Sequence, residues 1–243
     1  MLNFQDCLIN PAIDHEALAI QLAATGAIAI PDFLEQFAAD ETFSCLETQV
    51  AWEMAYRDGE ASMTKTVAQL SAMSDNDRQV FHGSVIEQAR NGYQFAYFRY
   101  PMIDAYTDKR QPRLMLCDIL EAINAPKSLD FFRTVTGDTH IRKVELQATY
   151  YAPGHFLKLH DDSSTPSTVD DRRYACVINL SKNWESHWGG LLQFVDDHGV
   201  SATQVPTFNN CSLFKVPRTH QVSYVAPFAT QPRYALTGWL RAD

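Results

Sequence analysis

The sequence predicts an α+β protein in which a mainly helical first half supports a β-rich second half. Of its 243 residues, 46% are hydrophobic and 20% are charged, so the chain can build a sizeable core and is not a disordered chain. Up to about residue 138, apolar residues recur at helical intervals. From residue 139 onward, short β-rich runs alternate with turn residues, which is typical of a sandwich or jelly roll with helices on one face.

The elements of the first half follow from apolar spacing and from start and stop signals. Residues 14–24 form the first predicted helix, because this run begins at an Asp and is followed by Gly26 as a stop; a short strand is predicted next, at 27–30. Residues 93–100 alternate well enough for a strand, which we expect to pack in the core, with a peptide-binding wall as the alternative. Further helices are predicted at 35–48, 75–89, 111–123 and 128–135.

The second half opens with a long β-rich run at 139–151. Gly189 and Gly190 allow a tight turn, and His198 is expected in a hairpin turn. Since the chain shows no repeat and no low-complexity linker, we expect one domain over residues 1–243, with 1–138 as mainly helical support and 139–243 as the β core. Shorter strands are predicted at 174–180, 191–195, 210–215, 221–225 and 234–240.

The charge distribution excludes several classes of protein. Residues 1–56 hold nine acidic residues and no Lys or Arg, whereas secretory and mitochondrial signals need basic residues. The uncharged run at 17–31 is too short to span a membrane, so we expect no membrane partner. Because the chain has no Lys/Arg-rich run, we also expect no nucleic-acid partner.

The cysteines favour a reducing compartment. Their number is odd, they are widely scattered, and none of them forms a C-x-x-C pair, which argues against a disulfide framework and against a thiolate zinc site. We therefore expect a cytoplasmic protein. The five positions are Cys7, Cys45, Cys117, Cys176 and Cys211.

A chemistry-bearing motif begins at His160, directly after the apolar strand pattern at 156–159. Alternation along a strand would point the side chains of His160 and Asp162 to the same face, which suits two ligands on one metal. Alone, this motif is weak, and a solvated turn is the alternative. The features that follow make the set far more specific: Arg172-Arg173, the Gly189-Gly190 turn, a second histidine at His220, and Arg233 at the start of Arg-x-x-x-x-Gly-Trp.

In this order, the residues resemble the iron(II) and 2-oxoglutarate-dependent dioxygenases of the prolyl hydroxylase branch. The resemblance covers residues 139–241 and is closest to the catalytic domain of the ribosomal-protein prolyl hydroxylases, while the hypoxia-factor prolyl hydroxylases share the order more loosely. It implies a double-stranded β-helix, a jelly roll with the metal at its open end. It also implies Fe(II), 2-oxoglutarate as cosubstrate and dioxygen, and leaves room for ascorbate.

The resemblance implies that His160, Asp162 and His220 bind the iron. Two imidazoles and one carboxylate on one face of Fe(II) leave three coordination positions open, two for 2-oxoglutarate and one for dioxygen. Each imidazole must be neutral to bind, so we expect metal loading to weaken as the pH falls through the histidine range. No side chain is expected to act as a catalytic acid or base.

The same resemblance implies a cosubstrate site. Arg233 matches the arginine that binds the distal carboxylate of 2-oxoglutarate, and Tyr151 matches a tyrosine that hydrogen-bonds the same carboxylate. Leu192 is expected to form an apolar wall. Asn179 stands where close relatives tend to carry a second tyrosine, and we expect it to contact the cosubstrate through its amide.

The function implied is hydroxylation of an unactivated C–H bond, first of all in a prolyl residue of a protein or peptide. Substrate choice lies in loops, so the same chemistry on a free amino acid or small metabolite stays open. A non-catalytic jelly-roll binding module is a third alternative. It predicts that Arg233→Ala changes nothing measurable.

Overall fold

The fold is known from a computed structural model that describes residues 8–163 and 171–243, so Cys7 lies outside the described residues. In this part of the chain, twelve antiparallel strands form a curled sheet, a nearly closed, jelly-roll-like barrel with helices packed against it. The predicted fold class is confirmed. No helix within the described ranges has the length and apolar character needed to cross a membrane.

Five of the seven described α-helices lie close to predicted ones, whereas those at 67–71 and 102–107 were not predicted. The Asp14 side chain accepts a hydrogen bond from Ala17 N at the start of the first helix, and Gly26 ends that helix in a left-handed conformation, φ 69°. The helices are α1 His15–Thr25, α2 Gln36–Thr48, α3 Val67–Ser71, α4 Asp75–Asn91, α5 Met102–Thr107, α6 Met115–Ile123 and α7 Pro126–Thr136.

In chain order the strands are β1 Ala27–Ile30, β2 Glu53–Asp58, β3 Ala61–Thr66, β4 Phe95–Tyr100, β5 Lys143–Tyr151, β6 Phe156–His160, β7 Arg172–Asn179, β8 Leu192–Asp196, β9 Gly199–Gln204, β10 Asn210–Lys215, β11 His220–Val222 and β12 Arg233–Arg241. They follow the path β1-β10-β7-β12-β5-β4-β6-β11-β8-β9 through the sheet, with β2 paired to β4 and β3 paired to β2. His198 lies in the turn between β8 and β9, as predicted.

Three strands have no counterpart among the predicted elements: β2, β3 and β9. Nearly all side chains of β3 and β9 are exposed, so these strands lack the alternation of apolar and polar residues that marks a half-buried strand. Within the described structure, residues 8–138 carry all seven α-helices and also contribute β1 to β4 to the sheet. The first half therefore supplies part of the barrel wall as well as its support.

The central strands β5, β7 and β12 separate the core from the site. On β7, Cys176 and Ile178 are buried against the helices, where Phe132 of α7 is also buried. The alternate residues Ala175 and Val177 point to the concave face of the sheet and line a cavity there. This alternation places the functional side chains on one face of a rigid sheet.

Candidate active site

A cavity of about 240 Å³ occupies the concave face of the sheet. Its walls come from eight strands, β4 to β8 and β10 to β12, together with Tyr93 before β4 and Asp162 after β6. Six of the seven site residues predicted from the sequence line it, namely Tyr151, His160, Asp162, Leu192, His220 and Arg233. The seventh, Asn179, is not among its lining residues.

His160 and His220 face each other across the β6–β11 pair, where their Cα atoms are in register. Their ring centroids lie 4.1 Å apart. In each ring, Nδ1 contacts the backbone carbonyl two residues earlier, at 2.9 Å for His160 with Lys158 O and 2.7 Å for His220 with Arg218 O. A carbonyl only accepts, so Nδ1 donates and Nε2 keeps its lone pair for a metal.

Asp162 completes the cluster from outside the strand. One carboxylate oxygen lies 3.4 Å from His160 Nε2, and the other lies 3.6 Å from His220 Nε2. The expectation that strand alternation brings Asp162 to His160 is wrong. The strand β6 ends at His160, and Asp162 follows it in a left-handed conformation, φ 59°. A short polar residue tolerates that conformation. The three ligating atoms lie within 4.8 Å of one another, and this donor set fits Fe(II).

The protonation states of these groups suit metal binding. Burial alone would raise the pKa of Asp162, but the adjacent imidazoles of His160 and His220 hold that pKa below the ordinary value. Burial lowers the pKa of His220. At neutral pH the carboxylate is therefore ionised and the His220 imidazole is neutral, the forms that a metal requires.

Arg233 is a buried cation, only 1% exposed, at the start of β12. It is in register with Tyr151 on β5, and its guanidinium lies 5.0 Å from the centroid of the Tyr151 ring. Nη2 donates to Asn179 Oδ1 at 3.2 Å, whereas Nε and Nη1 are buried without a hydrogen-bond partner in the described structure. Burial lowers the Arg233 pKa. A buried cation with unused donors fits an anionic ligand such as a carboxylate.

These features coincide with a sequence match. Residues 146–241 match the family model of the 2OG-Fe(II) oxygenase superfamily. The match runs from within β5 to the end of β12 and includes all the site residues predicted from the sequence. The β-rich half is a 2OG-Fe(II) oxygenase domain. Residues 146–241 thus form the site of a 2-oxoglutarate-dependent dioxygenase that uses Fe(II), 2-oxoglutarate and dioxygen, as predicted. The alternative of a non-catalytic binding module is not supported.

Solved structures share the fold of the oxygenase over nearly its whole length. A prolyl-4-hydroxylase from Pseudomonas putida is 17% identical, with TM-score 0.59, 94% of this chain and 99% of that chain covered. A 2OG-Fe(II) oxygenase family oxidoreductase from Burkholderia pseudomallei is 14% identical, with TM-score 0.60 and 96% and 92% covered. A Trichoplax adhaerens prolyl hydroxylase, solved with a hypoxia inducible factor peptide fragment, is 16% identical, with TM-score 0.54 and 94% and 89% covered. No curated protein matches the chain by sequence.

Three further residues were predicted for the cosubstrate site: Tyr151 and Asn179 lie beside Arg233, and Leu192 lines the same cavity. Tyr151 is 2% exposed, and burial raises its pKa well above the ordinary value, so its hydroxyl stays protonated and can donate. Leu192 is buried and lines the cavity as an apolar wall. Asn179 contacts the guanidinium of Arg233 instead of lining the cavity.

The tyrosines of the 93–100 segment are not among the site residues predicted from the sequence. Tyr97 stacks on Tyr151 with ring centroids 5.0 Å apart, and Tyr93 lies 5.9 Å from the His160 ring. Both tyrosines line the cavity, so this face of the strand forms part of the cavity wall and is not simply packed in the core. The signal in the sequence is the alternation itself, because it places residues 93, 95 and 97 on one face.

Proposed function

We propose that the oxygenase hydroxylates a C–H bond of a prolyl residue in a protein or peptide. The observation that supports this substrate class is that the cavity opens to the surface. Tyr93, His160, Asp162 and Arg172 line both the cavity and a more open surface depression of about 520 Å³. A residue that is still part of a polypeptide can reach a metal only through such an opening. The prolyl hydroxylases among the solved structures, one of them with a peptide, support this substrate class.

In this proposal, His160, Asp162 and His220 hold the iron. The Nδ1–H groups of the two histidines, fixed by backbone carbonyls, keep each ring oriented with Nε2 toward the Asp162 carboxylate. Fe(II), with 2-oxoglutarate and dioxygen, supplies the oxidising chemistry when bound. The three side chains would supply three ligands to the ion, and its remaining coordination positions would be available to ligands in the cavity.

Arg233 and Tyr151 bind the distal carboxylate of 2-oxoglutarate in this proposal. The unused Nε–H and Nη1–H of Arg233 and the protonated Tyr151 hydroxyl are donors at the same end of the cavity. Leu192 excludes water from the cosubstrate's apolar stem. The charges of Fe(II) and Arg233 balance those of Asp162 and the dicarboxylate, so the loaded site buries no net charge.

Proline oxidation can be tested directly. Cell extract is incubated with the protein, Fe(II), ascorbate and 2-oxoglutarate, and its peptides are searched by mass spectrometry for oxygen added to proline. We expect oxidised prolyl peptides with the wild type and none with His160→Ala. Succinate formation that depends on a free amino acid, with no oxidised peptide, would instead assign a small substrate. Full activity of His160→Ala would overturn the metal assignment.

A further inference from the structure

The aliphatic stem of Arg233 packs against the bare backbone of Gly190. Gly190 follows the 3-10 turn Ser186–Trp188 and has φ 62°. A methyl group placed on Gly190 would lie 3.3 Å from Cδ of Arg233, 3.2 Å from Cζ2 of Trp184 and 3.2 Å from Cγ2 of Val225. These distances are shorter than ordinary contacts, so one of the three side chains would have to shift.

Two of the three neighbours are held in place. The Trp184 indole N–H donates to Gly189 O at 3.0 Å, and Val225 is fully buried. The Gly190 backbone is fixed too, because its N–H donates to Ser223 O at 3.1 Å. Arg233 is the neighbour with the most rotatable bonds, and its guanidinium borders the open cavity, so the strain falls on Arg233.

We infer that Gly190 is a positioning residue for the cosubstrate, acting through Arg233. Because Gly190 has no side chain, the aliphatic stem of Arg233 can lie close to the Gly190 backbone. The position of that stem determines where Nε and Nη1 meet a carboxylate. Bidentate contact with a carboxylate depends on that geometry. The inference rests on the proposed role of Arg233 and adds a determinant that lies outside the set of groups touching the cosubstrate.

Gly189, the adjacent residue, must be glycine for a different reason. A methyl group on Gly189 would lie 2.0 Å from Tyr224 O, so that position requires glycine for the turn itself. Gly190 could be needed only for its left-handed conformation, and a matched control separates the two explanations. Gly137, at the end of α7, has φ 67°, and a methyl group there would meet nothing within 4 Å. Gly137→Ala therefore carries the backbone penalty without the contact.

The test measures binding by calorimetry, with Fe(II)-loaded protein under anaerobic conditions. The ligands are 2-oxoglutarate and 2-oxobutyrate, which lacks the distal carboxylate. We expect Gly190→Ala to weaken 2-oxoglutarate binding by about tenfold and to change 2-oxobutyrate binding by less than about twofold. Gly137→Ala should change neither, and Fe(II) affinity should stay at the wild-type value in both variants. In an Arg233→Ala background, Gly190→Ala should have no further effect, because its target is absent.

The outcomes are distinguishable. Equal weakening of both acids by Gly190→Ala, or the same weakening in the Arg233→Ala background, would show a general structural effect and overturn the inference. Wild-type 2-oxoglutarate binding by Arg233→Ala would instead overturn the proposed role of Arg233. If Gly190→Ala does not fold, Val225→Ala is added to remove one of the crowded contacts. Failure of that double variant to fold would make Gly190 a folding requirement and also overturn the inference.

Discussion

Oδ1 of Asn179 accepts a hydrogen bond from Nη2 of Arg233 at 3.2 Å, and Asn179 is only 2% exposed. Its amide orientation is fixed, because Nδ2 donates to Asn210 O at 3.2 Å. A neutral acceptor thus orients the guanidinium and leaves its positive charge uncompensated. The charge remains available to the cosubstrate carboxylate.

Asn179→Asp should therefore weaken 2-oxoglutarate binding far more than Asn179→Ala. The new carboxylate would lie beside Arg233 and compete with the distal carboxylate, at a cost of about tenfold or more in affinity. Asn179→Ala removes one hydrogen bond and should cost about three- to tenfold. Calorimetric titration of both variants with 2-oxoglutarate checks this order. Equal affinities in the two variants would mean that charge at this position does not reach the cosubstrate.

Removal of one imidazole should destroy metal binding. His220 is 5% exposed and is one of only two imidazoles in the cluster, so His220→Ala should weaken binding of Mn(II), used as a redox-stable probe, by about a hundredfold or more. His198→Ala is the matched control, since His198 is exposed in the β8–β9 turn and should leave affinity unchanged. Titration followed by electron paramagnetic resonance measures both. Equal losses in the two variants would place the ion elsewhere.

The sequence predicts the metal cluster and Arg233 through a family resemblance, and short motifs at strand ends carry that resemblance. The apolar pattern before His160 and the β-rich run after Arg233 fix the strands, and strand register brings the residues together. The left-handed conformation of Asp162 follows from no periodicity and is seen only in the structure. The Asn179–Arg233 hydrogen bond depends on the β7–β12 register, which short-range patterns do not specify.

The position of Tyr93 is a second feature that the sequence pattern does not predict. Its place beside His160 results from the pairing of β4 with β6, which joins segments far apart in the chain. The alternating aromatics predict the strand but not its partner. For β3 and β9, exposure on both faces removes even the alternation.

The stability of the fold should depend on pH through His155. Burial lowers the pKa of His155 from 6.5 to about 4, and Nδ1 accepts a hydrogen bond from Ala152 N at 3.1 Å, which requires an unprotonated nitrogen. The unfolded chain takes up this proton near pH 6.5, whereas the folded chain does so only near pH 4. The stabilisation is therefore complete above pH 6.5 and is lost as the pH falls toward 4.

Urea unfolding of the metal-free protein at pH 7.5 and pH 5 measures this effect. Between these two values, the free energy of unfolding of the wild type should fall by about 1–2 kcal/mol more than that of His155→Gln. The comparison between the two proteins cancels the titration of the other histidines, including the metal ligands. The same pH dependence in both would show that His155 titrates alike in the folded and unfolded chains.

Tyr93 should determine how tightly a prolyl peptide binds, without affecting the cosubstrate. Gln94 lies between Tyr93 and β4 and is fully buried. Its side-chain Oε1 accepts hydrogen bonds from Arg57 N at 2.8 Å and Phe95 N at 2.9 Å, which fixes the backbone next to Tyr93. Arg57 also covers the Tyr93 ring, at 5.3 Å from its centroid. Although it is so firmly held, Tyr93 stays 39% exposed beside His160, as expected for a preorganised wall of a binding groove.

Tyr93→Ala should raise the KM for a prolyl peptide by about five- to tenfold and leave 2-oxoglutarate and Mn(II) binding unchanged. Tyr93→Phe should keep most of the wild-type KM, because a hydrophobic wall needs the ring and not the hydroxyl. Tyr106→Ala is the control, since Tyr106 is also partly exposed but lies on α5 with its hydroxyl donating to Glu121. Peptide kinetics followed by succinate release compare the three variants. A wild-type KM for Tyr93→Ala would show that the peptide crosses the mouth of the cavity without resting on this ring.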